Sequence, residues 1–243
     1  MFRRCKCCNF GGVNFVNQNN YNMPHQYITS DLHLLHERII KYADRTEYQP
    51  ANHKKAIQMS WDIVNSINQQ IPDSSDVVLW NLGDLYFGKT LSTRTLSLLQ
   101  DFVKGMKGKH RQLKLVLGNH DKPFIEYIKY LGFDYIYDYP VVINEIYILS
   151  HEPFFLSDPH FVNIHGHTHQ KFVGSDYFCW VLENREMVVK AYKDSRRKCP
   201  FNPDLKKENW QQLIVNSEQY INVCWDANDY KVLNLEELKK GRK

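Results

Sequence analysis

With 243 residues, 43% of them hydrophobic, the chain is long enough to bury one large core. Its formal net charge of +4 is too small for a broad polyanion-binding surface and leaves room only for local basic patches. No apolar run reaches the roughly 18 residues of a membrane span, and the start lacks the apolar region of a secretory signal. The cysteines form no disulfide framework: Cys5, Cys7 and Cys8 crowd together, while Cys179, Cys199 and Cys224 are scattered. A reducing, cytoplasmic compartment is the expectation.

Residues 1–24 are rich in Asn and Gly, show no periodicity and read as a flexible tail before one domain over 25–243. Their clustered cysteines lack an evident fourth ligand for a soft metal site. Gln26–Thr29 reads as a strand, and Ser30-Asp31-Leu32-His33 as the loop after it. A helix is expected over Leu35–Arg45, with Ile39 and Ile40 inward. A second runs from Asn52 to Gln70 through Ile57, Trp61, Val64, Ile67 and Ile71, and Pro72-Asp73-Ser74-Ser75 stops it. The strand Asp76–Leu82 ends in Gly83-Asp84. A helix over Ser92–Met106 buries Leu96, Leu99 and Val103. The strand Lys114–Leu117 runs into Gly118-Asn119-His120-Asp121. A helix over Phe124–Leu131 precedes a pair of strands within Phe133–Asn144, edged by Pro140. The strand Glu145–Leu149 ends in Ser150-His151-Glu152-Pro153, and Phe161–Ile164 ends in His165-Gly166-His167-Thr168-His169. From Gln170 to Gln219 the alternation breaks down. A strand over Tyr220–Trp225 and a helix over Leu235–Lys240 close the chain. Such alternation implies an α/β sandwich with mixed sheets.

Five strand ends carry a similar load: Asp31 and His33, then Asp84, then Asn119 and His120, then His151, then His167 and His169. Polar groups at the mouth of hydrophobic strands cost stability when unpaired, and ligands of open α/β sheets bind at the carboxyl ends of strands. Carboxylates, an amide and several imidazoles suit borderline divalent ions such as Mn, Fe, Zn, Co or Ni, not calcium or thiolate-seeking metals. Asp-x-His and His-x-His would put both side chains on one side of an extended segment, and Gly83, Gly118 and Gly166 would permit the turns that aim them.

Taken in order, D-x-H, G-D, G-N-H-D, a lone His and G-H-x-H resemble the calcineurin-like metallophosphoesterases, in particular a small bacterial and phage branch. The likeness spans Ile28 to His169, with further resemblance in SDLHLLHERIIKYADR, LGDLYFG, LSHEPF and the closing YINVCWDANDYKVLNLEEL. It implies two mixed β-sheets flanked by α-helices. It implies one metal on Asp31, His33, Asp84 and His169, and a second on Asp84, Asn119, His151 and His167. Hydrolysis would proceed by in-line attack of a hydroxide bridging two divalent ions. His120 would bind no metal and would serve the phosphoryl group or the leaving oxygen as the catalytic residue. Many members place an Asp or His three residues after the bridging Asp to orient that imidazole. This chain carries Phe87 there, so His120 needs another partner.

His36 and Arg45 also match the branch pattern. Either could reach a substrate phosphate; alternatively His36 packs the first helix and Arg45 pairs with a surface acid. His165 reads as a strand-end hydrogen-bonding residue, and Ser150 lacks the surroundings of a nucleophile. The segment 170–219 interleaves Tyr177, Phe178, Trp180, Tyr192 and Trp210 with Lys190, Lys193, Arg196, Arg197 and Lys198. That pattern suits a cap that stacks bases and holds phosphates, with Arg196 and Arg197 as substrate contacts; the alternative is a surface hairpin. The expected partner is a phosphate ester, first a phosphodiester, nucleotide or nucleic acid, with no membrane. A phosphomonoesterase acting on a small metabolite or phosphoprotein is the second reading. A non-catalytic metal-binding scaffold is the third.

Overall fold

A computed structural model of the chain describes residues 24–88, 91–154, 156, 158–169, 184, 186–187, 190 and 219–241. The expected tail over 1–24, apart from Pro24, and most of the expected cap over 170–219, Arg196, Arg197 and Lys198 included, lie outside the described residues.

Nine short strands are described, in two sheets. The first has the order β4 (Tyr135–Tyr137), β3 (Gln112–Val116), β2 (Val77–Asn81), β1 (His25–Thr29), β9 (Leu233–Asn234). Its first four strands run parallel, and β9 closes the edge antiparallel to β1. The second has the order β5 (Val141–Ile143), β6 (Tyr147–Ser150), β7 (Val162–His165), β8 (Tyr220–Asn222), with only β5 antiparallel. Period-2 alternation divides the first sheet between two cores. Ile28, Val78, Trp80, Leu82 and Val116 face Tyr147, Leu149, Val162 and Ile164 of the second sheet. Leu79, Leu113 and Leu115 face helices α2 (His53–Gln70) and α3 (Thr93–Lys107).

Both long helices begin where side-chain caps satisfy a free backbone donor. Asn52 Oδ1 accepts from the Lys55 N–H, and Ser92 Oγ accepts from the Thr95 N–H. The buried face of α2 differs from the expected one: Ala56, Met59, Ser60, Ile63, Val64 and Ile67 are buried, whereas Ile57 is half-buried and Trp61 is exposed, its ring meeting the Phe102 ring edge-on at 4.8 Å. Ser60 turns inward because its hydroxyl accepts from the Leu35 N–H and donates to the Ala56 carbonyl, both at 2.8 Å.

The helix expected over Leu35–Arg45 shrinks to α1, Ile39–Tyr42. Left-handed backbone at Leu35 (φ 61°) and Asp44 (φ 50°) ends it on both sides. The helix expected over Phe124–Leu131 is likewise short, α4 at Ile125–Ile128. The two strands within Phe133–Asn144 do form but do not pair with each other. The turn at Pro140 carries the chain from the first sheet to the second. The strand β9, unexpected from the sequence, leads into α5 (Leu235–Gly241), whose Leu235 plugs the inter-sheet core. Among the described residues no helix is long and apolar enough to cross a membrane.

Candidate metal centre

Parallel pairing continues beyond the ends of β1 and β2. The Asp31 N–H donates to the Gly83 carbonyl (3.0 Å), His33 N–H to Asp84 (3.0 Å) and Leu34 N–H to Leu85 (2.7 Å). The two loops therefore advance side by side and bring Asp31, His33 and Asp84 to one edge. In the second sheet the Gly166 N–H donates to the His151 carbonyl (2.9 Å), holding the ends of β6 and β7 together. The stretch after β8 joins the sheets: Val223 N–H reaches the His165 carbonyl (2.8 Å) and Trp225 N–H reaches the Ser30 carbonyl (2.9 Å). All five motif-bearing strand ends thus meet at one seam.

The loops are not extended, contrary to the expectation from Asp-x-His and His-x-His. Asp31, His33, Asp84, His167 and His169 all have φ between 49° and 71°. A left-handed conformation costs a non-glycine residue free energy, and such positions cluster where geometry serves function. Of the expected turn glycines, only Gly83 uses its freedom, with φ +100°. Gly118 and Gly166 instead provide space. A Cβ on Gly118 would collide with the Asp84 carboxylate, and one on Gly166 with the Asp31 carboxylate and Ser30 hydroxyl.

Two clusters of donor atoms result, Asp31–His33–His169 and Asp84–His151–His167, each with its atoms within 4.8 Å of one another. In the first, His33 Nε2 and His169 Nε2 stand 3.9 and 3.7 Å from Asp31 Oδ1. In the second, His151 Nε2 stands 3.4 Å from Asp84 Oδ2, 3.0 Å from Asn119 Oδ1 and 3.3 Å from His167 Nδ1. Asp84 Oδ2 also lies 3.9 Å from His33 Nε2, so this carboxylate stands between the clusters.

These atoms fit divalent cations. Asp31 Oδ1 and His33 Nε2 are buried with no hydrogen-bond partner, an expensive state unless something charged binds them. Separations of 3.4–3.9 Å are long for hydrogen bonds, but ligands about 2.1 Å from a shared ion sit at most about 4.2 Å apart. His151 Nδ1 lies 2.8 Å from the Leu82 carbonyl and donates to it, which leaves Nε2 as a lone pair facing Asp84 and Asn119. The electrostatics agree. Burial alone would lower the His151 pKa, yet the Asp84 charge beside it carries it up to about 10, so this pocket favours positive charge. Burial pushes His33 down to about 3 despite both carboxylates. Burial would raise Asp84, but His151, His33 and His120 hold it well below the usual carboxylate range.

Four further residues, not singled out from the sequence, support the loops. Asp121, wholly buried, accepts from the backbone N–H groups of Asp84 (2.8 Å), Leu85 (3.0 Å) and Gly118 (2.9 Å). Burial and the Asp84 charge push its pKa up to about 7. Asn222 donates to Thr168 Oγ1 and the His169 carbonyl. The Cys224 thiol donates to Asp31 Oδ2 at 3.1 Å. Asp226 Oδ2 accepts from His169 Nδ1 at 2.8 Å, and Asp226 Oδ1 from Arg45 at 3.1 Å. Asp121 closes a motif already quoted, and Asn222, Cys224 and Asp226 fall in the closing stretch YINVCWDANDYKVLNLEEL, where no spacing marks which side chains they meet.

Arg45 is a correction on both expected counts. At 1% exposure it neither faces a substrate nor pairs with a surface acid: its guanidinium donates to the Asp31 and Leu32 carbonyls (3.2 and 3.0 Å) and to buried Asp226. His36 is buried between the His33 and Phe87 rings, at 5.4 and 4.6 Å, and burial pushes it down to about 4. His120 is half-buried. Its backbone N–H donates to Asp84 Oδ1 (3.0 Å), its Nε2 lies 3.7 Å from Asp84 Oδ2, and Phe87 meets its ring edge-on at 4.4 Å. His165 is buried, with Nδ1 on the Gly166 carbonyl at 2.9 Å.

A family model described as calcineurin-like phosphoesterase matches residues 25–240. Among solved structures, a protein of unknown function from Aquifex aeolicus is 21% identical, with 89% of this chain and 98% of that one covered and a TM-score of 0.47. The nuclease MPE of Pseudomonas putida is 20% identical over 59% of this chain and 61% of its own, with a TM-score of 0.43. No curated protein matches the chain. With the family model spanning nearly all of the sandwich and its seam of Asp, Asn and His side chains, the chain belongs to the calcineurin-like phosphoesterases.

Proposed function

We propose that the protein hydrolyses a phosphate ester with two divalent cations, one held by Asp31, His33, Asp84 and His169 and the other by Asp84, Asn119, His151 and His167. The observation that carries this reading is the convergence of two clusters of donor atoms on either side of Asp84, with Asp31 Oδ1 and His33 Nε2 of the first buried and without a hydrogen-bond partner. When bound, the cations would supply Lewis acidity toward the phosphoryl oxygens and an acidified water. Asp31 and Asp84 offset part of the cationic charge and leave a net positive site for a phosphate ester. In this reading His120, half-buried beside Asp84, would hold a proton for the leaving oxygen. Phe87, standing where a carboxylate or imidazole would orient it, packs edge-on against its ring, and the backbone bond to Asp84 holds its loop. Borderline ions such as Mn, Fe, Zn, Co or Ni suit this nitrogen–oxygen donor set.

The substrate class we favour is a phosphodiester, nucleotide or nucleic acid. Its support is the interleaving of Tyr177, Phe178, Trp180, Tyr192 and Trp210 with Arg196, Arg197 and Lys198 in the sequence. The test is hydrolysis of chromogenic aryl phosphomonoesters and phosphodiesters by purified protein with Mn²⁺ added and then chelated. Chelator-sensitive turnover with diester preference is expected. A monoester preference would overturn the substrate class, and Mn²⁺ binding without turnover would overturn the enzyme reading.

A further inference from the structure

Asp226 is 57 positions from the imidazole it touches and belongs to none of the five motifs. At 2% exposure its carboxylate accepts from half-buried His169 Nδ1 at 2.8 Å on one oxygen and from the buried Arg45 guanidinium at 3.1 Å on the other. A carboxylate can only accept, so His169 must carry its proton on Nδ1 and turn Nε2 toward Asp31 Oδ1, 3.7 Å away. Arg45 extends the link. Besides Asp226 it donates to the Asp31 and Leu32 carbonyls, fixing the loop that carries Asp31 and His33. The Cys224 thiol donates to Asp31 Oδ2 and its sulfur accepts the His169 N–H at 3.3 Å, a second link between the same loops. The ligating side chains of the second cluster lean on other groups, His151 on the Leu82 carbonyl and the Asp84 backbone on Asp121, and His167 meets the Asp31 loop through its backbone, its N–H donating to Asp31 Oδ2 at 2.9 Å.

We propose that Asp226, through Arg45, is the positioning residue of the Asp31–His33–His169 cluster alone, and sets how tightly that cluster holds its cation relative to the other. A carboxylate behind a ligating imidazole fixes its tautomer and ring orientation and raises its basicity, and losing such a partner typically lowers metal affinity about 10–100-fold. The inference rests on the two-cation reading of the site.

The test is titration of the metal-free, full-length protein with Mn²⁺, followed by calorimetry and electron paramagnetic resonance, in wild type and Asp226→Asn. In the amide one of the two donors meets the oxygen and the other meets an NH₂ group that cannot accept, so one of His169 and Arg45 loses its acceptor. In the variant one Mn²⁺ equivalent is expected to weaken about 10–100-fold while the other stays within about threefold, and the coupled two-ion spectrum should give way to that of isolated ions. Two equivalents bound as in wild type, or both weakened alike, would overturn the proposal. Should Asp226→Asn not fold by circular dichroism, Arg45→Lys replaces it. Lysine keeps the charge pair but cannot also span both carbonyls, so the same single equivalent should weaken, and an unchanged titration overturns the proposal. A wild-type protein that binds fewer than two Mn²⁺ ions would sink the two-cation reading itself, a result distinct from a wild type that binds two and a variant that is indifferent.

Discussion

A methyl group at position 166 would stand against the Asp31 carboxylate and the Ser30 side chain, so the glycine there exists for the carboxylate's sake. Gly166→Ala should leave the strands paired, because Gly166 does not need positive φ, yet displace Asp31. The expected outcome is a folded protein by circular dichroism with Mn²⁺ affinity at least about tenfold lower by calorimetry. Asp84→Ala should go further, since that carboxylate stands between both clusters: chelator-sensitive hydrolysis is expected to vanish in the aryl-ester assay. His120→Ala should keep both Mn²⁺ equivalents and lose about 10²–10⁴-fold in kcat, the usual contribution of a general acid or base; loss of metal instead would contradict its assigned role. At this scale the motif residues were legible because each ends an apolar strand, and strand ends of one sheet share an edge. Arg45 was misread because nothing local marks its burial: its partner Asp226 is 181 positions away. Asp226 itself follows a tryptophan with no ligand-like spacing, so its role is visible only in three dimensions.

The two long helices were readable for physical reasons that operate within a few residues. Asn52 and Ser92 are strong N-caps, and apolar side chains recur at helical spacing behind them. The caps and the core make separable demands. Ser92→Ala should cost about 1 kcal/mol, whereas Phe102→Ala, which empties a fully buried aromatic site between α2 and α3, should cost about 3–5 kcal/mol; urea unfolding midpoints check both. The short elements were less readable. Helical periodicity over Leu35–Arg45 cannot reveal that the Leu35 N–H is claimed by Ser60 Oγ, a contact 25 positions distant that needs left-handed backbone. The strands flanking Pro140 look like a hairpin because hairpins are the commonest short connection. Which sheet each joins depends on which neighbour has a free edge, and that is set by β3 and β6.

Across the whole molecule, the donor atoms divide by sheet. Asp31, His33, Asp84 and Asn119 follow strands of the first, and His151, His167 and His169 follow strands of the second. Alternation of strands and helices was enough to expect a layered sandwich; the pairing of Ser30 with Cys224, which sews the layers at their upper rim, was not foreseeable from either segment alone. Each donor cluster draws on both layers, so a cation seated in either acts as a rivet between them. A ligand that binds only the folded state adds about 2.7 kcal/mol of stability at a hundredfold excess over its Kd. Mn²⁺ should accordingly raise the thermal midpoint in calorimetry, and chelation should lower it. Amide hydrogen exchange should quicken first at His151 through Thr168 and at Ser30 through His33, before it does in α2 or α3. Loss of metal would then be felt as an unfastening of the sandwich along one side, which would make ion supply a condition of the protein's endurance as well as of the proposed turnover.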